Sequence, residues 1–313
     1  GQGTSSRNSQ VIHAGMYYPT GSLKARLCVA GNQSLKSYCL KNSVTVLNTG
    51  KFIVATNAAE EAELLKILTR GKENGVRHLQ MVTAAELANA QPGVRATAAI
   101  WSPETAVIDS HEFMESLCRN FENHGGIIAF GNEIRGIEVE NGGYNVRTVD
   151  VSGGESSMHC RYFINAAGLG ADMLCESAGF DVDALDYRIR FVKGNYFRVR
   201  NPARLGIKHL IYPAPHPDLK GLGIHITLDL DGSLRLGPDV EEMTARREDY
   251  TVDENRADSF VVAVARYLPN IRIEDIYADS AGIRPKLMSA PGEVRDFIIQ
   301  EESARGFPRW INL

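Results

Sequence analysis

The chain has 313 residues, of which 43% are hydrophobic, and a formal net charge of -4 at pH 7. That length suits roughly two domains with a large core. The slightly acidic balance, with no long run of Lys or Arg, leaves no electrostatic footprint for nucleic acid, so a small molecule is the expected partner.

Five scattered cysteines (Cys28, Cys39, Cys118, Cys160, Cys175) never form a C-x-x-C pair and read as reduced thiols of an intracellular protein with no zinc site. No apolar run approaches the ~18 residues that a membrane-spanning helix needs. Both ends read as cut. The chain opens on GQGTSSRNS without Met, like an internal loop, and closes on the apolar run WINL with no turn after it, so a fragment or shortened gene product is expected.

In chain order, a loop rich in polar and aromatic groups (Arg7, Asn8, Ser9, His13, Tyr17, Tyr18) precedes a helix capped by Ser22 and running to Cys39. Such a loop suits a ligand, and equally an ordered surface loop bonded to its own backbone. Residues 44–56 read as a hairpin turning at Asn48-Thr49-Gly50. A helix follows from Ala58 to Arg70, capped by Asn57 and stopped by Gly71, and a second covers Thr83 to Asn89. Asp109 or Ser110 opens a helix whose Phe113, Leu117 and Phe121 recur on one face. Ile127 to Phe130 read as a buried strand, and a hairpin turns at Asn141-Gly142-Gly143.

The stretch YFINAAGLGADMLCESAG, residues 162–179, reads as a buried strand, a turn of small residues and a helix closed by Gly179. Gly168 and Gly170 leave room for a phosphate at a helix start, a common way of holding nucleotide cofactors, although small residues also serve where any strand turns into a packed helix. From 190 to 240 the character changes to strands: Arg190 to Arg200, Leu210 to Pro213, Leu222 to Leu228 and Leu234 to Gly237. A helix over Glu254 to Leu268 and strands near Ile276 to Ile283 and Phe297 to Gln300 complete the pattern.

Alternation in GIHIT puts His225 on the face opposite Ile224 and Ile226, where a lone histidine is more usually a satisfied structural residue than a catalytic one. Tyr212, Arg284 and Lys286 are further candidates for a site. Arg284 suits a carboxylate, because its planar fork supplies two parallel hydrogen bonds; a structural ion pair is the other use of such a residue.

The segments SSRNSQVIHAG, YYPTGSLKARLC, NAAGLGAD, KGNYF, HLIYPAP, GLGIHIT, LRLGPD and GIRPKL resemble, in this order, the L-2-hydroxyglutarate dehydrogenases, which are D-amino-acid-oxidase-like FAD oxidoreductases. The resemblance covers essentially the whole chain. It implies an α/β fold in which a Rossmann-like FAD domain (1–43, 109–179 and 279–313) carries an inserted, mostly antiparallel substrate domain (44–108 and 180–278). The first βαβ unit with its G-x-G-x-x-G turn has no counterpart here, so the FAD domain is expected to be incomplete, and a remnant that does not hold FAD is one alternative.

The implied reaction is oxidation of L-2-hydroxyglutarate to 2-oxoglutarate, with quinone or oxygen as the final electron acceptor. An amine or amino-acid oxidase is the other alternative. By the same resemblance, Ser5, Ser6, Arg7, Asn8 and Ser9, with Ala167, Gly168 and Leu169, contact FAD, and His225 is the base, with His13 as its alternative. Arg284, Lys286 and Tyr212 bind substrate. A mitochondrial location is implied if the source is eukaryotic, and a cytoplasmic one otherwise.

Overall fold

The computed structural model describes residues 1–140, 142–215, 223–287 and 295–313. Two residues of the expected elements, Asn141 and Leu222, lie outside these. The chain forms two compact units, one of Gly1–Leu117, Val192–Met243 and Arg247–Ile283, the other of Cys118–Phe191, Thr244–Arg246 and Arg284–Leu313. These boundaries follow compactness. The sequence-based division instead sorts segments by what they would bind, and it stands as a proposal.

The first unit is built on a mixed sheet. Among the described residues its strands run in the order Glu241–Glu242, Ile189–Val199, Leu234–Leu236, Ile226–Leu228, Leu210–Pro213, Lys51–Ala55, Ala98–Ser102 and Gln80–Thr83, with Ile276–Leu287 paired to Ile189–Val199. Neighbours are largely antiparallel, but Leu210–Pro213 lies parallel to Lys51–Ala55. One face is apolar: Phe52, Val54, Ile211, Ile224, Ile226, Leu234, Leu236 and Phe197 share a core with Phe260 and Val264 of the helix Ala257–Ala265. Burying each such side chain is worth roughly 1.5–3 kcal/mol, so this face alone supplies a large part of the folding energy.

Strand alternation sends the intervening residues to the opposite face. Lys51, Tyr212, His225, Thr227 and Arg235 therefore lie there, with Thr227 directly opposite Arg235 in the register. All five are buried.

The helix Leu23–Asn42 starts at Ser22, whose Oγ accepts from Ala25 N at 3.1 Å. Asn57 caps Ala58–Glu73, and Thr83 forms a capping box with Glu86 at the start of Ala84–Ala90. Gly71 does not stop its helix. A Cβ there would lie 2.5 Å from Leu79 Cδ1 and 3.0 Å from Met16 Cβ, so this glycine allows a close approach.

The expected hairpin at 44–56 is not one. Val46–Leu47 pairs with Ala106–Ile108 in a separate three-stranded sheet, whereas Lys51–Ala55 pairs with Leu210–Pro213 and Ala98–Ser102. Asn48-Thr49-Gly50 therefore carries the chain from one sheet to another.

In the second unit, Asn132–Glu140, Gly143–Asp150 and Glu155–Cys160 form an antiparallel meander. Phe163–Asn165 runs parallel to Trp310–Asn312, which pairs with Gln300–Glu301. The core gathers on the fully buried Trp310, with Tyr144, Phe163, Phe180 and Tyr187. Asn165 Nδ2 donates to Ala171 O at 2.9 Å and to Asn312 Oδ1 at 3.0 Å, tying the strand to the turn and helix that follow it.

The expected buried strand Ile127 to Phe130 does not form: no pairing holds it among the described residues, and Ile127 and Phe130 are 89% and 78% exposed. Tyr162, Ile164, Leu117 and Phe121 are likewise exposed. Of the last expected strand, Phe297 to Gln300, only Gln300 lies in a paired segment, Gln300–Glu301, and the α-helix expected from Glu254 is confined to Ala257–Ala265 after one 3-10 turn.

The two helical glycines separate packing from propensity. At Gly31 a Cβ meets nothing within 4 Å. Gly31→Ala should stabilise the protein by about 0.5–1 kcal/mol through helix propensity, whereas Gly71→Ala should destabilise it by about 1–3 kcal/mol through overpacking. Equilibrium urea unfolding of the two variants measures both.

Candidate active site

The loop from His13 to Tyr18 is fixed from two sides. Asn32 Nδ2, on the helix Leu23–Asn42, donates to His13 O at 3.0 Å, and Cys28 Sγ lies 3.5 Å from the same oxygen. From the helix Ala58–Glu73, Arg70 reaches Tyr17 O at 3.3 Å; Asn74, its C-cap, donates to Gly15 O at 3.0 Å and Tyr18 O at 2.9 Å. Four backbone carbonyls are thus satisfied by side chains, which leaves the His13 and Tyr17 rings as fixed groups.

These rings meet the polar face of the large sheet at Tyr212. The His225 imidazole stacks on Tyr212 with centroids 3.5 Å apart and planes 10° apart. His13 meets Tyr212 edge-on at 6.5 Å. Lys51 Nζ sits 4.5 Å from the Tyr212 ring centroid and 4.8 Å from that of Tyr17. The structure therefore brings together His13, Tyr212 and His225, which sequence reasoning singled out, and adds Lys51, which it missed. His225 immediately precedes the paired segment Ile226–Leu228, and its carbonyl accepts from Gly237 N at 3.0 Å.

Burial sets the charges. Lys51 is fully buried and its Nζ has no hydrogen-bond partner among the described residues. Desolvation pulls its pKa down to about 7, with Cys28 acting in the opposite direction. His13 is half-buried by area, yet enough protein encloses it to hold its pKa down at about 3, first by desolvation and second by the Lys51 charge. The Tyr17 and Tyr212 hydroxyls are pushed well above the usual phenol range by burial. At neutral pH the cluster therefore holds an uncharged His13, protonated phenols and a lysine poised between its two forms. Nearby, Arg235 is already engaged by Asp229, with Nε to Oδ1 at 2.9 Å.

The expected cofactor residues are distributed between the units. In the first, Asn8 is consumed within its loop, donating to Thr4 O at 3.0 Å and Ser5 O at 2.8 Å while accepting from Gln10 N at 2.8 Å. Ser6 donates to Gly3 O, and the Arg7 guanidinium lies 4.0 Å from the Tyr250 ring centroid. The Ser5 and Ser9 side chains make no described hydrogen bond, and Ser5 is exposed. Gly282 seats this loop: a Cβ there would lie 2.1 Å from Arg7 O.

In the second unit, Ala167 and Gly168 are exposed, Leu169 is buried, and Gly168 adopts φ +58 with open space where a Cβ would be. Arg246 braces the turn, donating to Asp172 Oδ2 at 2.8 Å and Leu169 O at 3.4 Å. Arg284 and Lys286 are half-buried at the end of Ile276–Leu287, the part of that strand that belongs to the second unit.

The model of the family described as FAD dependent oxidoreductase matches residues 1–312. The chain belongs to this FAD-dependent oxidoreductase family. It is 31% identical to the mitochondrial L-2-hydroxyglutarate dehydrogenase of Arabidopsis thaliana over 99% of the chain and 71% of that protein. It is 29% identical to the L-2-hydroxyglutarate dehydrogenase of Escherichia coli strain K12, over 92% of the chain and 74% of the relative. Among solved structures, this FAD-dependent oxidoreductase is similar in fold to the FAD-bound L-alpha-glycerophosphate oxidase of Mycoplasma pneumoniae, with TM-score 0.87 and 24% identity over 99% of the chain and 79% of that one. Glycine oxidase from Geobacillus kaustophilus shares the fold at TM-score 0.79 and 18% identity, over all of this chain and 79% of its own.

The depressed lysine gives this oxidoreductase a signed pH dependence. Between pH 7 and Lys51's ordinary value of 10.5, the unfolded chain binds a proton that the folded chain lacks, so stability rises with pH through that window and the contribution is lost below it. His13 acts with the same sign between 3 and 6.5. Lys51→Met removes the upper term. Its melting temperature should exceed the wild-type value most at pH 6–7, with the gap narrowing towards pH 9.5, as followed by thermal melts across that range; a gap independent of pH would contradict the assignment.

Proposed function

We propose that this chain oxidises L-2-hydroxyglutarate to 2-oxoglutarate. The observation that carries the reading is the meeting of two histidines, from distant parts of the chain, on the buried polar face around Tyr212. Similarity to L-2-hydroxyglutarate dehydrogenases at 29–31% identity supports the choice of substrate.

Oxidising a secondary alcohol removes the hydroxyl proton together with a hydride from the same carbon. FAD, when bound, supplies the two-electron acceptor. The residues present fit such a group: Ser5 and Ser9 have hydroxyls uncommitted among the described residues, and Gly168 leaves open space at an exposed turn. The family resemblance assigns Ser5 to Ser9 in the first unit and, separately, Ala167 to Leu169 in the second to contact with it.

The hydroxyl proton passes to an imidazole nitrogen, and we assign this role to His225. Burial holds the His13 pKa down at about 3, which disfavours His13 as a proton acceptor in the ligand-free protein. Tyr212 fixes the His225 ring by stacking, which keeps the accepting nitrogen in one place. Arg284 and Lys286 are proposed carboxylate ligands, the former through its bidentate fork. The final acceptor of the electrons is quinone or oxygen on this reading, and the location is mitochondrial if the source is eukaryotic, as for the Arabidopsis relative.

L-2-Hydroxyglutarate should bleach the blue absorption of the FAD-loaded protein, and its D-enantiomer should not; faster reduction by sarcosine or a neutral amino acid would favour an amine oxidase. His225→Ala should slow reduction by roughly 10²–10⁴-fold with FAD retained, the usual worth of a general base. His13→Ala should weaken FAD binding as well as turnover. Near-normal rates in His225→Ala, with His13→Ala inactive but still holding FAD, would make His13 the base.

A further inference from the structure

We propose that Lys51 is a substrate-binding residue whose ammonium takes a carboxylate of a small dicarboxylate on the polar face of the large sheet. The inference rests on the 2-hydroxy diacid reading above and adds to it a residue that neither the motifs nor the family resemblance singled out.

Its first support is an unmet requirement. An ammonium carries three donors, and Lys51 Nζ, fully buried, uses none of them on a described residue. Burying an ion costs several kcal/mol. Each ring within reach returns only about 0.5–2 kcal/mol through cation–π attraction, so Tyr17 and Tyr212 offset part of the cost and leave no acceptor in place. Buried carboxylates elsewhere in the unit are already matched to arginines, Asp229 to Arg235 and Glu60 to Arg266. No described carboxylate lies within ion-pair distance of Lys51.

The second support is the sign of the surroundings. Facing Lys51 are Tyr17 and His13 from the loop, Cys28 from the helix Leu23–Asn42 and Tyr212 from the adjacent parallel strand; Tyr18 and Arg235 act on these neighbours. The Tyr17, Tyr18, Tyr212 and Cys28 protons are all held on by burial, so none of these groups is an anion at neutral pH. The Tyr17 hydroxyl, also buried, has no described partner and is a second donor beside the ammonium. A cation and neutral donors with no counter-charge are complementary to an anion, and a dicarboxylate supplies one.

The third support is that Lys51 titrates where binding can move it. A bound carboxylate favours the charged form and raises the lysine's pKa from about 7, so ligand binding above that pH takes up a proton. His13 does not confuse this reading, because its own titration lies several units lower.

The test is isothermal titration calorimetry of the FAD-loaded protein with 2-oxoglutarate and with glutarate, in buffers of different ionisation heat. Wild type should bind both and take up about one proton per site at pH 8 and almost none at pH 6. Lys51→Met should bind each diacid roughly 10- to 100-fold more weakly, as expected for one hydrogen bond to a charged group, with no proton uptake at pH 8 and a melting temperature no lower than wild type. A lower one would mean that the lysine is structural.

If the variant weakens 2-oxoglutarate but leaves glutarate unchanged, Lys51 meets the oxo group and the proposal is wrong. Unchanged affinity for both also overturns it, as does an absence of proton uptake by wild type at pH 8, which needs no variant. Failure of wild type to bind either diacid would instead sink the diacid reading, and this inference with it.

Discussion

A lysine ammonium enclosed in protein with no hydrogen-bond partner among the described residues is the constraint on which the rest of this site depends. Lys51 lies on the polar face of the large sheet, between two tyrosine rings that attract a cation but accept no hydrogen bond in the ordinary sense. Its desolvation brings the amine to about 7, and its charge helps to hold His13 uncharged. The resting site thereby holds an uncharged His13, phenols that keep their protons, and one group ready to become a full cation when an anion arrives.

The sheet makes this arrangement tolerable because its two faces do different work. Phe52, Val54, Ile211, Ile226, Leu234 and Leu236 bury against the helix Ala257–Ala265 on one side and supply the cohesion. Lys51, Tyr212 and His225 occupy the other side of those same strands, where each residue's neighbours in sequence anchor its backbone. The site is therefore held on rigid elements, and the loop His13 to Tyr18 is pinned to two helices through Asn32, Arg70 and Asn74. Positioning of this kind lets a base act without first being ordered. A buried polar face that the fold itself does not satisfy is a familiar exchange of stability for function.

Much of this was legible in the sequence, and the misses have physical causes. His225 was readable because it interrupts Ile224 and Ile226, and the structure puts those isoleucines in the core. The helix caps Ser22 and Asn57 were readable because capping is chemistry local to three or four residues. Lys51 escaped because Asn48-Thr49-Gly50 reads as a hairpin turn, which would leave the next residue at a solvated strand start. Turn residues report that the chain changes direction and not which strand it joins, and the true partners of Lys51–Ala55 lie about fifty and over a hundred and fifty residues away. The signal that could have found it is the run Lys51-Phe52-Ile53-Val54-Ala55, in which a strand apolar on both faces is buried on both and takes its lysine in with it. Ile127 to Phe130 failed in the opposite way: an apolar run has strand propensity, but a strand exists only where another pairs with it. Gly71 was taken as a stop because sequence cannot show that Leu79 and Met16 close on it.

The protonation state of Lys51 is the most direct test of this account, and NMR of protein labelled at lysine Cε measures it without turnover. The assigned Lys51 resonance should titrate near pH 7 in the ligand-free protein and move upward, towards the ordinary lysine value, when a saturating dicarboxylate is added. A Lys51 that titrates near 10.5 with or without ligand would contradict the account, because it would show an ammonium already satisfied by the fold and in no need of an anion.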